Sequence, residues 1–256
     1  TRLRQWQKII ERFIRDCSAR RAIKRQIADH PGRGFMKTQK LSVAVITFNE
    51  EEDIGACLDS VRWADEIIVV DSGSTDRTIE IARQYTDRVI NHPWPGYAAQ
   101  RNFAIDCATH DWILFLDADE RLSAPLIREI VALSDFDCAG YEIPRKNFFL
   151  GRFIRYAGWY PNYAVRLFNR RQGRFREAAV HETLRLTGKA VRLTHPIEHY
   201  TYRSLTDHHE KLGRYTTLAA VEMRHQMKSF RVLDLIGRPT LAFLKSYFLK
   251  QGFREG

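Results

Sequence analysis

The sequence predicts an α/β fold built on a parallel sheet, with acidic loops at the carboxyl edge of that sheet. Three observations carry this. The apolar runs Ile67-Ile68-Val69-Val70 and Trp112-Ile113-Leu114-Phe115-Leu116 read as buried parallel strands. Each runs straight into carboxylates, Asp71-Ser72-Gly73-Ser74-Thr75-Asp76 in one case and Asp117-Ala118-Asp119-Glu120 in the other. Helix-period stretches separate the strands, the pattern of βαβ units. Open α/β sheets bind ligands outside the carboxyl ends of their strands. Two acidic loops at that edge point to a nucleotide and a divalent cation, and so to an enzyme.

Leu41–Thr47 reads as the first strand. Glu51–Val61 follows as a helix, with Ile54, Leu58 and Val61 on one face. Glu66–Asp71 is the second strand. Thr75–Tyr85 is a helix capped by Ser74 or Thr75, with Asp76 favourable near its dipole. Arg88–Asn91 is a short strand, Ala98–Ala108 a helix, Asp111–Asp117 the fourth strand and Ala124–Leu133 another helix. Right-handed crossovers place the helices on the two sheet faces. After residue 138 the pattern shifts to short, partly antiparallel strands at Gly140–Pro144, Ala164–Asn169 and Ala190–Leu193, joined by aromatic loops. From Ser204 onward the chain reads as helical. The expected organisation is a basic extension over 1–35, a catalytic domain over 36–203 and a helical extension over 204–256.

The net charge of +10 is concentrated at the start, where residues 1–35 hold ten Lys/Arg and three Asp/Glu. Trp6, Ile9, Ile10, Phe13 and Ile14 give that segment an apolar helical stripe. It reads as an interfacial helix, a packing helix or an upstream extension, since Met36 stands directly before the first strand. The basic pI also raises nucleic-acid binding through this arm, but charge confined to one segment argues for a separate partner. The apolar, lysine-flanked stretch around Ala242–Leu249 likewise reads as interfacial or as packed on the domain. No apolar run approaches the ~20 residues of a membrane span, and the start lacks a signal peptide's apolar stretch. Cys17, Cys57, Cys107 and Cys138 form no CxxC, as expected of reduced thiols in the cytosol.

Asp117-Ala118-Asp119 is a D-x-D at a strand end. Two carboxylates so spaced can share Mg²⁺ or Mn²⁺, which keep positions open for phosphate oxygens. A D-x-D alone also occurs in solvated turns; the buried strand before it and the second acidic loop favour the metal. Asp71 can accept from a base N–H or a ribose hydroxyl, or simply cap the next helix. Thr47-Phe48-Asn49-Glu50 adds a third loop at the same edge, with Phe48 as a stacking surface.

In order, Leu41–Glu50, Val70–Asp76, Gln100-Arg101-Asn102 and Leu116–Glu120 resemble the signature of family 2 inverting glycosyltransferases. The resemblance covers roughly residues 41–200, with Ser72 standing where many members carry a second Asp. Val180-His181-Glu182, His199-Tyr200-Thr201-Tyr202 and Lys245–Phe253 look most like the lipopolysaccharide core β-1,4-glucosyltransferases. The resemblance implies a GT-A (nucleotide-diphospho-sugar transferase) fold with a mixed sheet flanked by helices. It implies Thr47, Asn49, Glu50 and Asp71 around the nucleoside, Arg101 at the pyrophosphate, Asp117 at ribose or metal, and Asp119 on the metal. Inversion by single displacement needs one general base, which the resemblance places at Glu182. His181 would contact the acceptor, as would Trp159 and Tyr160, unless those aromatics are core. His195 or His199 would complete the metal site or serve structure alone. Arg145, Lys146, Arg152 and Arg155 would suit an acidic or phosphorylated acceptor, or form a solvated surface. The expected partners are a UDP-sugar, a lipid-linked or lipopolysaccharide saccharide and the cytosolic face of the inner membrane, with no nucleic acid. Polyprenyl-phosphate sugar transfer is the alternative enzyme reading.

Overall fold

The computed structural model describes residues 39–133, 136–176, 183–225 and 232–255. The basic segment 1–35 and the pair His181-Glu182 lie outside the described residues. Four parallel strands form the first half of the sheet: β1 (Leu41–Thr47), β2 (Glu66–Asp71), β3 (Val89–Asn91) and β4 (Trp112–Asp117), in the order β3-β2-β1-β4. Their side chains alternate between two apolar layers. Val43, Val45, Val69 and Leu114 enter one; Ala44, Ile68, Val70 and Phe115 enter the other. Burial on both faces is why these strands read as unbroken apolar runs. Each fully buried Val, Leu or Ile contributes about 1.5–3 kcal/mol.

Helices α1 (Ile54–Ser60), α2 (Thr78–Ala82) and α3 (Tyr97–Asp106) connect these strands. The first two are shorter than their periodicity predicts, because the residues before them are used otherwise. Ser74 does not cap α2; its hydroxyl donates to Asp71, and it is Asp76 Oδ1 that accepts from Thr78 N at 3.0 Å. That corrects the expected cap.

The second half of the sheet is mixed. After β5 (Glu120–Leu122) and α4 (Ala124–Val131) come β6 (Gly140–Phe149), β7 (Arg152–Phe153), β8 (Asn162–Asn169), β11 (Ala190–Arg192) and β12 (Ile197–Tyr202), continuing the order as β4-β8-β6-β12-β5. A separate hairpin pairs β9 (Gly173–Arg176) with β10 (Thr183–Leu186). Strand β6 runs past Pro144, where the sequence predicts its end. On one flank β11 pairs up to Glu142 and β12 begins at Arg145, so Pro144 falls in the gap between two partner strands and needs no ladder donor there.

Only Ala118 and Asp119 separate β4, at the centre, from β5, which pairs with β12 at the far end of the order. The sheet therefore curls so that β12 faces the D-x-D connection, with His199 in register with Glu120. This closure puts the acidic loop at the junction of the two halves. Helices α5 (Leu205–His225) and α6 (Val232–Leu244) follow, and α6 continues into a π-helical turn at Lys245–Leu249. No helix among the described residues is long and apolar enough to cross a membrane.

Candidate active site

The three loops at the carboxyl edge are laced together by their own polar groups. Asn49, held at φ 54°, accepts at Oδ1 from Thr75 N at 2.8 Å and donates its backbone N–H to Ser74 Oγ at 2.8 Å. Glu50 N donates to Thr78 Oγ1 at 2.8 Å. Asp71 is fully buried, and its Oδ2 accepts from Gly73 N and Ser74 N, each at 2.8 Å. Ser74 Oγ donates to the other oxygen. A carboxylate offers about four acceptor sites, so Asp71 organises the loop and retains capacity for one further donor. Thr47 Oγ1, at the end of β1, is buried against the cleft without a partner among the described residues.

Each residue of Gln100-Arg101-Asn102 on α3 has a distinct geometric task. Gln100 Nε2 donates to Ser72 Oγ at 3.0 Å, holding the second loop. Arg101 Nη2 meets Asp117 Oδ1 at 3.0 Å, with its guanidinium over the Phe115 and Phe175 rings. Asn102 exchanges two hydrogen bonds with the Phe175 backbone, at 2.9 and 3.0 Å, pinning β9 to α3.

Asp117 is gripped from both sides. Arg166, a buried side chain on β8, places Nη2 at 2.6 Å from Asp117 Oδ2 and 2.6 Å from Glu120 Oε1. Burial alone would raise the Asp117 carboxyl, but the Arg101 and Arg166 charges together hold it well below the usual carboxylate range. The same carboxylates raise Arg166 further, against its own desolvation. Sequence reasoning missed Arg166 and Glu120, because the partners meet only through pairing of β4 with β8. Arg166→Met would remove the guanidinium that bridges two close carboxylates, leaving Asp117 to Arg101 and Glu120 to Arg145 at 3.6 Å, at an expected cost of about 3–5 kcal/mol near neutral pH. Asp117 is depressed in the fold, so the Arg166 contribution is present above about pH 4 and lost as pH falls through the folded value. Thermal denaturation should accordingly show the variant's deficit shrinking in acid.

Asp119 takes a different environment. His199 Nε2 lies 3.3 Å from Asp119 Oδ2, while His199 Nδ1 lies 2.7 Å from Asn147 Oδ1. Burial disfavours the charged ring, but the Asp119 charge outweighs it and the His199 pKa is raised. An oxygen and a nitrogen donor thus face one point, with the histidine oriented from behind, as metal-ligating histidines are. This pair fits Mg²⁺ or Mn²⁺ that draws its other ligands from phosphate and water. Among the described residues no three His, Cys, Asp or Glu side chains converge as a complete cage. His195 is elsewhere, on Glu129 at 2.8 Å.

Glu50 sits nearby in the same cleft. Burial pushes its carboxyl up to about 8, with Asp119 and Asp53 adding to the rise and Lys211 and Arg203 opposing it. Between the ordinary value of 4.5 and about 8 the folded protein holds a proton that the unfolded chain lacks, so stability falls as pH rises through that window. Glu50→Gln should therefore raise the metal-free protein's Tm by several degrees above about pH 8 and change it little near pH 4.

These residues border a cleft of about 1350 Å³. Thr47, Glu50, Arg101, Asp117 and Asp119 all line it. Trp94, half-exposed and edge-on to Tyr97 at 4.7 Å, lines it too, and sequence reasoning passed over this Pro-flanked aromatic pair. Trp159 and Tyr160 pack edge-on against Phe149 and Phe153 and are not among the cleft-lining residues; Tyr163 is. Glu182 and His181 lie outside the described residues, but Thr183 and Leu184, next in the chain, line the cleft.

A parallel first half, a mixed second half and a D-x-D at their junction match the GT-A fold of the nucleotide-diphospho-sugar transferases. The chain belongs to glycosyl transferase family 2, whose profile matches residues 42–185. It is 32% identical over 226 residues to the lipopolysaccharide core biosynthesis glycosyltransferase LpsC of Rhizobium meliloti, covering 84% of this chain and 83% of that protein. It is 31% identical over 236 residues to an uncharacterized glycosyltransferase of Rickettsia typhi, covering 85% and 80%. Among solved structures, S. aureus TarS 1-349 in complex with UDP aligns at TM-score 0.47 and 20% identity, over 72% of this chain and 65% of that one.

Proposed function

We propose that this glycosyltransferase moves a hexose, with inversion, from a UDP-sugar to a lipid-linked saccharide of the lipopolysaccharide core. UDP-glucose is the proposed donor and an inner-core heptose the proposed acceptor, at the cytosolic face of the inner membrane. The observation that carries the donor half is the pair of neighbouring electrostatic environments at the D-x-D. Arg101 and Arg166 converge on Asp117, while Asp119 and His199 offer an oxygen and a nitrogen donor.

Thr47, Asn49, Glu50 and Asp71 would hold the nucleoside. A Glu50 carboxyl that keeps its proton can donate to a base carbonyl as well as accept. Arg101 would turn from Asp117 to the diphosphate, whose geometry a guanidinium matches. Arg166, held by Glu120, would remain beneath it as fixed positive charge. Asp119 and His199, with Asp117 nearby, would hold Mg²⁺ or Mn²⁺. A bound ion would supply Lewis-acid stabilisation of the departing diphosphate. Glu182 would take the proton of the acceptor hydroxyl as that oxygen attacks C1 and the C1–O bond to UDP breaks. Relatedness to LpsC, named for lipopolysaccharide core biosynthesis, supports the acceptor class.

Calorimetric titration of the full chain with UDP, UDP-glucose and GDP-mannose, each with and without Mn²⁺, tests the donor assignment. Tighter binding of the uridine nucleotides in Mn²⁺ is expected. A preference for GDP-mannose would overturn it.

A further inference from the structure

Helix α6 and the π-helical turn after it present large apolar side chains mostly to solvent. Leu235, Ile236, Leu241 and Phe243 are 57–71% exposed, and Phe248 and Leu249 are 57% and 80% exposed. A helix apolar over so much of its circumference belongs in a protein core or a lipid phase, and exposed patches of this kind mark contact surfaces. From Leu235 to Gly252 every charged residue is cationic, namely Arg238, Lys245 and Lys250. A second copy meeting this face by two-fold symmetry would gather two such sets of cations, with no anion from either, at one contact, so charge complementarity favours an anionic lipid surface over self-association.

The segment is also fixed to the catalytic body. Glu255 Oε1 accepts from Arg155 N at 2.7 Å and Tyr156 N at 2.6 Å, and Ala157 N donates to the Lys250 carbonyl at 2.9 Å. Arg254 lies over the Tyr156 ring at 4.7 Å. These ties hold the apolar turn against the loop that joins β7 to β8, and β8 carries Arg166 and the cleft residue Tyr163.

We infer that Leu235–Leu249 is an interfacial anchor that enters the headgroup boundary of an anionic membrane, with Arg238, Lys245 and Lys250 at the phosphate level. Its tail ties set the acceptor-facing half of the sheet at the lipid surface. The anchor rests on the transferase reading only for its purpose, delivery of a lipid-linked acceptor; lipid binding itself is independent of turnover.

The test is co-sedimentation of the full chain with vesicles of phosphatidylcholine alone or with about one-third anionic phosphatidylglycerol, whose surface attracts Lys and Arg. UDP–Mn²⁺ affinity and Tm serve as controls for folding and for the donor site. Wild type should bind the anionic vesicles. The double variant Phe248→Glu/Leu249→Glu should partition at least tenfold more weakly with unchanged Tm, since both side chains are already in solvent. Lys245→Gln and Lys250→Gln should each cost about fivefold on anionic vesicles and little on neutral ones. Unchanged partitioning of the double variant would overturn the anchor. So would sedimentation velocity showing a dimer that the double variant abolishes, which would make the face a contact between copies. Vesicle binding without UDP binding would leave the anchor standing and sink the donor assignment instead.

Discussion

Glu182→Gln is expected to lower turnover by about 10²–10⁴-fold while leaving UDP affinity unchanged, the usual contribution of a positioned acid–base group. The carboxamide keeps the size of the side chain and loses its charge and its ability to take a proton. Strand β10 begins at Thr183, which lines the cleft, and its partner β9 is pinned to α3 through Asn102 and Phe175. Strand β9, with which β10 pairs, is thus tied to the same helix that carries Arg101. Single-turnover kinetics with calorimetric control of donor binding would separate a chemical defect from a binding one. Near-normal turnover would move the base elsewhere, and a matching loss of UDP affinity would make Glu182 a donor contact.

Asp119→Ala is expected to abolish the gain in UDP affinity that Mn²⁺ provides. Asp119 is the D-x-D carboxylate that no guanidinium among the described residues grips, and its partner is the oriented ring of His199. Asp117, by contrast, meets Arg101 and Arg166. Asp117→Asn should therefore weaken UDP binding even without metal, because Arg101 loses the carboxylate that positions it at the cleft, while Arg166 keeps Glu120. Asn147→Ala should weaken Mn²⁺ binding by about 10–100-fold, the typical effect of losing the partner behind a ligating histidine. Equal UDP–Mn²⁺ affinity in wild type and Asp119→Ala would remove Asp119 from the metal site.

The parallel half of the fold is legible in the sequence because its strands are buried on both faces and separated by helices. Apolar runs therefore mark β1, β2 and β4, and the residues just past them fall at one edge. The loops of Thr47–Glu50, Asp71–Asp76 and Asp117–Glu120 could be placed together on that ground alone. The second half is less legible. Strand β12, Ile-Glu-His-Tyr-Thr-Tyr, mixes polar and aromatic residues, and all but Ile197 are partly exposed. It shows no clean period because it closes the sheet beside the cleft. Arg166 and Glu120 are buried charges that satisfy each other, a relation carried by the β4–β8 pairing and by nothing local. His199 could be suspected but not chosen over His195, since the choice rests on the register of β12 with β5. Trp159 and Tyr160 had equal claims as core or acceptor platform from sequence, and they pack on neighbouring phenylalanines.

The most direct measurement is release of UDP from UDP-glucose by the purified full chain, with truncated lipopolysaccharide as acceptor and with or without Mn²⁺, combined with NMR of the product's anomeric proton. Turnover that needs both acceptor and Mn²⁺ and yields a β-linked hexose is the predicted result. Turnover indifferent to the metal, or a product that retains the donor's α configuration, would contradict a metal-assisted single displacement at this cleft.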